Sequence, residues 1–471
     1  MPCAACTSQK KDRNLLFCMQ IVNYLFTKFA NSATPCFKAT QPILNMSGNI
    51  LNALPELITN GLLTEEAAAN IRAYYLHKEQ QQPQRTNTIF GILGATLVGL
   101  GIILMVAHNW DNLPNAVKLS FSFLPLLAGQ LLCGFTLFKK SANKTWRESS
   151  ASFLFFAVGA SIALVAQVYH IPGNLASFLL TWMLLSFPLI YIMSSSMVSL
   201  LYLVGITALG MEDGYGYQAA DNHYYWGLLL LAVPFYIQLV RKQPASNVTF
   251  FHHWFFALSL TISLGTVASK EALLMPIAYM SMFAVFYLLG TMPWFGFKRL
   301  LSNGYLVIGS LGTMVMLLVL SFKFLWLEWS SSDNNPSWPE ALAMTLATLA
   351  ASYLLYRQLR NRNGAPINPM GFVFILFIGL YIIGLRAPIT GAILMNLLVL
   401  AAAIFTMQRG LRLNHIGILN YGLLIIAVLV ICRFFDTDIS FILRGLMFVA
   451  VGAGFFIANS RLAKKRKQHV Y

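Results

Sequence analysis

The sequence predicts an all-α, polytopic integral membrane helix bundle of about fourteen transmembrane helices, preceded by a short N-terminal cytoplasmic helical hairpin. Three observations carry this reading. Of the 471 residues, 57% are hydrophobic and only 10% are Asp, Glu, Lys or Arg, with a mean hydropathy of +0.65. A soluble domain holds about 25% charged residues and must still present a wettable surface. The apolar residues also come in runs of roughly twenty, the length that crosses a bilayer core as a helix, which excludes the short alternating strands of a membrane β-barrel. Finally, the charges between the runs segregate by sign, as membrane topology demands.

Residues 1–45 read as a leader of doubtful status. A basic patch (Lys10, Lys11, Arg13), a short apolar run and the small residues Ala30, Ser32 and Ala33 superficially copy a secretory signal. A segment lying on the membrane is one alternative; a non-native upstream stretch, with the functional chain beginning at Met46, is the preferred one. Residues 46–87 form the expected hairpin. Leu51, Leu54, Leu57 and Ile58 share one helical face, Asn60-Gly61 supplies a stop, and Thr64 caps a second helix that opens with Glu65 and Glu66.

Residues 88–458 are the expected transmembrane domain, with spans at 88–107, 115–138, 150–168, 174–193, 195–210, 224–240, 250–268, 271–290, 301–322, 338–356, 369–385, 388–407, 413–432 and 439–458. The fifth is short, and charge decides whether it counts. With the N-terminus cytoplasmic, the basic clusters Lys139 to Arg147, Arg241-Lys242, Lys298-Arg299, Arg357 to Arg362, Arg409 with Arg412, and the tail 459–471 all fall inside. Only Lys118, Lys270, Lys323, Arg386, Arg433 and Arg444 fall outside, where most of the acids gather. Deleting the fifth span would invert every later loop, so the positive-inside rule favours fourteen spans with both termini cytoplasmic. The net charge of +16 is thus a topology signal, with an inner surface suited to anionic lipids, and not a nucleic-acid footprint.

Within the spans, Gly91-Ala95-Gly99, Ala343-Ala347-Ala351 and Ala450-Gly454-Ala458 read as close-packing stripes. Pro125, Pro188, Pro234 and Pro276 are expected to interrupt spans two, four, six and eight. The six cysteines make no framework, since Cys3-x-x-Cys6 has no second pair at metal-ligand spacing. No cofactor, metal site or catalytic motif is expected: HExxH, GxSxG, Walker A and a dinucleotide-type glycine turn are all missing from the sequence.

Three polar segments sit at span ends on the outer side. They are His108-Asn109-Trp110-Asp111, Gln167-Val168-Tyr169-His170, and Arg433-Phe434-Phe435-Asp436-Thr437-Asp438 with Arg444 further on. Read functionally, His108, Asn109, Asp111, Gln167, Tyr169, His170, Asp436 and Asp438 form an outward-facing cluster for a cation or proton, with Arg386, Arg433 and Arg444 available for an anionic group. Read structurally, they are interfacial trim: aromatic anchors, helix caps and an ion pair that fixes packing. His252-His253, at an inner-side helix start, reads as a water-facing pair.

The same segments carry a resemblance. The His108 to Asp111 box after a Gly-rich span, the Ala166 to His170 run, the Leu54-Pro55-Glu56-Leu57 to Tyr74-Tyr75 hairpin and Arg433 to Asp436 with Arg444-Gly445 resemble a bacterial family of predicted multi-pass membrane proteins, domain of unknown function 2157. The resemblance runs over about residues 48–460 and implies a bacterial inner-membrane protein, without implying an activity. The functional expectation is a secondary transporter or channel-like protein for a small solute. The alternatives are a membrane scaffold or envelope-assembly factor that docks a protein partner through residues 47–82 and, third, an intramembrane enzyme.

Overall fold

A computed structural model describes residues 54–80 apart from Glu56, then 113–215, 223–268, 272–292, 302–330, 337–361 and 369–434, with scattered positions between 442 and 456. The leader, the first span, its His108 to Asp111 box, most of the last span and the basic tail lie outside the described residues. So do Asp436, Asp438 and Arg444.

The chain divides into two units, residues 1–112 and 113–471. In the first, the helical turn before Asn60 ends as its sequence dictates. Gly61 takes φ 66°, and the Leu62 and Gly61 amides donate to the Leu57 and Ile58 carbonyls, the closing pattern that favours glycine. Thr64 Oγ1 then accepts from the Ala67 amide and starts α1 (Glu65–Gln80).

The second unit is helical throughout its described residues. Its first six helices are α2 (Asn115–Lys139), α3 (Lys144–Val168), α4 (Leu175–Ile192), α5 (Ser196–Tyr215), α6 (Tyr224–Lys242) and α7 (Asn247–Leu264, extended by a 3₁₀ turn to Val267). Then come α8 (Met275–Gly290), α9 (Gly304–Val319), α10 (Lys323–Ser330), α11 (Trp338–Arg360), α12 (Val373–Arg386, after a 3₁₀ turn at Pro369–Phe372), α13 (Pro388–Arg412) and α14 (Ile416–Phe434).

Among the described residues, nine helices are long and apolar enough to cross a membrane: α2 to α7, α12, α13 and α14; α9 with α10, bent by 77°, makes up to ten. The fifth span is a full 20-residue helix. The described helices do not by themselves settle the count of fourteen: the first span and most of the last lie outside them, and two further runs fall short of a full apolar span. The eighth apolar run yields only 16 helical residues, about 24 Å at the α-helical rise. The tenth yields 23 residues that include Glu340, Arg357 and Arg360.

The surface is that of a molecule dissolved in lipid. On α2 the residues facing the protein are Ser122, Gly129, Cys133 and Thr136, while Leu124, Leu131 and Phe138 point outward at 67%, 75% and 88% exposure. Small and weakly polar groups inside with large apolar groups outside reverse the soluble pattern, and close packing in a bilayer favours that arrangement.

The core forms two large clusters that meet on α8. Ala278, Met282, Phe283 and Phe286 belong to the cluster built with α4 to α7, and Met280, Ala284 and Leu288 to the cluster built with α11 to α14. Thirteen of its sixteen residues are buried, so a helix too short for the bilayer is sheathed by protein. The Ala343-Ala347-Ala351 stripe lies on α11, which packs on α8 in the same direction, with Ala351 fully buried and Ser281 and Thr348 hydroxyls 2.9 Å apart. Pro125, Pro188 and Pro234 do not interrupt their spans: α2, α4 and α6 continue through them as single helices. Pro276 does not interrupt its helix; it occupies the first turn of α8, where a missing N–H costs nothing. Cys133 is a buried free thiol.

Candidate functional site

The strongest departure from regular structure is the 77° break between α9 and α10. No glycine or proline causes it. Ser321 turns its hydroxyl back onto the Leu318 carbonyl (2.6 Å), and its amide and that of Phe322 donate to Leu318 and Val319, a local bonding pattern that competes with the helical ladder. Two side chains from beyond the break then take the carbonyls it releases. Trp326 Nε1 donates to Leu320 O at 2.7 Å, and Asn396 Nδ2 of α13 donates to Ser321 O at 3.0 Å. The Trp326 ring, fully buried, fills a hollow that exists because α12 and α13 present Gly384 and Gly391; a methyl on either would strike the ring or the facing backbone.

Arg433 comes to this break. One of its terminal nitrogens donates to Ser321 Oγ at 3.1 Å, and its guanidinium lies 4.5 Å from the centre of the Phe322 ring, within cation–π range. Farther along the same end, Tyr381 packs against both Trp326 and Trp329 and donates to Leu273 O at 2.8 Å. Glu340 is fully buried in the first turn of α11; its Oε1 accepts from the Leu274 and Met275 amides at 2.6 and 3.1 Å. One carboxylate thus serves the N-termini of two parallel helices, α8 and α11, where the dipoles favour negative charge. A cation, a broken helix whose released carbonyls are bonded to side chains, and aromatic walls therefore meet at one end of the bundle. Chemically, such a site can hold a small anionic group or admit a polar solute through an interrupted span.

Of the three expected outer segments, only Gln167 to His170 and Arg433-Phe434 fall among the described residues, together with Arg386. Arg433 lies at the break with the second core, and Arg386 ends α12, exposed. Gln167, Tyr169 and His170 belong instead to α3 and its link to α4, and all three are exposed. There the geometry is that of a helix terminus. His170 takes φ 51°, with the Ile171 and His170 amides donating to the Ala166 and Gln167 carbonyls, and Asn174 and Ser177 form a reciprocal cap on α4. A non-glycine residue in the left-handed region costs about 1 kcal/mol. His170→Gly is therefore expected to raise stability by up to that amount, read from thermal unfolding of the full-length protein; a marked loss would mean that the imidazole itself holds this corner.

His252 and His253 reverse the reading made from sequence. They are 0% and 2% exposed, not water-facing. His253 Nδ1 lies 2.7 Å from the Tyr236 hydroxyl, which is 3.0 Å from that of Tyr305. A signal was available: His252, Ser259, Ser263 and Thr266 recur at three- and four-residue multiples, the spacing of one helical face. Nothing of this kind marks Ser321, a lone serine in an apolar run. Among the described residues, no group of three or more His, Cys, Asp or Glu is arranged to hold a metal ion.

Span-forming helices and an inside-out surface agree with what the comparison with known families returns. A family model described as predicted membrane protein (DUF2157) matches residues 55–199. The match takes in the described hairpin from Pro55 and runs through α2, α3 and α4 into the first turn of α5. It is shorter than the resemblance seen in sequence, and the broken span lies beyond it. No curated protein and no solved structure matches the chain.

Proposed function

We propose that this membrane protein is a secondary transporter or channel-like protein for a small solute bearing an anionic group, and that the break between α9 and α10 is its solute site. The observation that carries this is the juxtaposition of Arg433 with the interrupted helix at Ser321. Discontinuous spans recur where transporters handle solutes; here the released carbonyls are bonded to Trp326 and Asn396, which leaves the Arg433 guanidinium as the group that meets an anion. Arg residues within membrane spans are rare and recur along substrate and ion pathways. In this reading the chain lies in a bacterial inner membrane with both termini cytoplasmic, as the segregation of Lys and Arg argues. The break then opens on the outer side, and the basic inner surface meets anionic lipid.

The test uses the purified full-length protein and a panel of probes: phosphate, sulfate, acetate, succinate and zwitterionic amino acids. An anion that binds the folded state at a hundred times its Kd stabilises by about 2.7 kcal/mol. At least one anion is expected to raise the unfolding temperature of the wild type and not of Arg433→Gln. A panel with no anion that distinguishes the two contradicts the assignment.

A further inference from the structure

α5 and α7 run side by side in the same direction. Thr207 Oγ1 meets Ser259 Oγ at 2.6 Å, a methyl on Gly210 would touch Ser263 Oγ, and one on Gly214 would strike Thr266. The same register brings Ser199 level with His252. Along this contact the two apolar helices face each other with polar residues, Ser199, Thr207 and Asp213 on α5 and His252, Ser259 and Ser263 on α7, none more than 9% exposed. Thr207 satisfies itself on the Leu203 carbonyl, and Tyr225 OH joins Ser259 at 2.8 Å. Four other atoms are buried without a hydrogen-bond partner: Ser199 Oγ, His252 Nε2, Ser263 Oγ and Asp213 Oδ2.

Buried polar atoms are almost always bonded, and leaving one unbonded in an apolar surrounding is expensive. Close packing accounts for the serines and the threonine, but not for a histidine and an aspartate buried in the same seam with an unbonded ring nitrogen and carboxylate oxygen. Ionisable groups stand at both ends. At one end Glu148 of α3 accepts from the Ser195 hydroxyl and from the Ser196 and Met197 amides, and its charge acts on His252. His253 and Tyr236 are the other titratable neighbours of His252. At the other end Asp213 is faced by Glu212 and His223. From Ser196 to Asp213 the helix climbs about 26 Å, close to the ~30 Å of a hydrocarbon core.

We propose that the α5–α7 seam is a proton pathway across the membrane, with Glu148 and His252 exchanging protons at one end and Asp213 at the other. His252 Nε2 accepts a proton from the Glu148 side. Each hydroxyl, or a water bonded to it, takes a proton on oxygen and releases its own to the next, and Asp213 Oδ2 gives the last to the opposite face. Every bond formed matches one broken, so no oxidant or co-reactant is required. Phe256, which follows His252 by one turn, is 3% exposed and stacked 4.2 Å from the Tyr236 ring; it divides the seam into two polar stretches and closes it in this conformation. The inference deepens the transport reading by naming the coupling ion, yet it uses none of the residues at the α9–α10 break.

The test is proton flux into proteoliposomes of the full-length protein containing a trapped pH-sensitive dye, with a potassium diffusion potential as driving force. Flux several times that of protein-free liposomes is expected, with Phe256→Ser raising it further and Asp213→Asn or His252→Gln returning it to baseline. Wild type and Phe256→Ser both at baseline would overturn the proposal, as would full flux in Asp213→Asn and His252→Gln. If Phe256→Ser does not elute as a folded species, infrared spectra of the wild type decide. A carboxyl band that is lost in Asp213→Asn and shifts promptly in heavy water is expected, and a band that resists exchange refutes a hydrated seam. Anion-dependent stabilisation is measured on the same preparations. Its failure with proton flux intact refutes the solute site alone, and the converse refutes the pathway alone.

Discussion

Replacing Glu340 by alanine is expected to cost about 2–6 kcal/mol of stability, because two buried amide donors lose their acceptor and each orphaned donor costs about 1–3 kcal/mol. The Leu274 and Met275 amides both donate to the same oxygen, Oε1, so Glu340→Gln keeps an acceptor where it is needed. It loses only the attraction between a full negative charge and the two helix N-termini, typically up to about 2 kcal/mol when partly buried. The order of unfolding midpoints for the full-length protein should therefore be wild type, then Gln, then Ala. The effect is large because α8 joins the two core clusters, and loosening its first turn releases both. An alanine variant within about 0.5 kcal/mol of wild type, the range of an ordinary surface change, would show that the carboxylate does not hold this junction.

The second large effect is on binding. Removing Arg433 from an anionic solute is expected to cost about 2–5 kcal/mol, at least a thirtyfold loss of affinity, as truncating one partner of a buried charge pair does. Arg433→Lys separates charge from shape. It keeps the positive charge but gives up the planar fork and the stacking on Phe322, and should fall between wild type and Arg433→Gln. Titration with whichever anion stabilises the wild type reads all three. Equal affinity in the wild type and Arg433→Gln would remove Arg433 from the site.

Most of the bundle was legible because hydrocarbon thickness imposes one length on every lipid-facing helix, and α2 to α7 and α12 to α14 begin and end within a few residues of their apolar runs. The departures occur where protein, not lipid, is the neighbour. α8 stops short because it is sheathed on nearly all sides, and α11 tolerates Glu340 because two helix ends receive it. The α9–α10 break was hidden, since Leu320-Ser321-Phe322 carries none of the residues that punctuate helices. Of the polar residues, Arg433 stood out as a charge out of place. The role of Gln167, Tyr169 and His170 as a helix end depends on a backbone angle that histidine does not announce. His252 stands near a helix start, which suggests a wet position, but its register with Ser259 and Ser263 ties it to the buried face, a pattern visible only along the whole helix.

The central claim is that the break in the ninth span opens to solvent and prefers anions because of Arg433. A single cysteine at Ser321, in a background where the native cysteines including Cys432 are replaced by serine, measures this in intact proteoliposomes. A negatively charged, membrane-impermeant thiosulfonate is expected to label Ser321→Cys faster than its positively charged counterpart, and Arg433→Gln to abolish the preference. A cysteine at 321 that a membrane-permeant maleimide reaches but neither charged reagent labels from either side would contradict it.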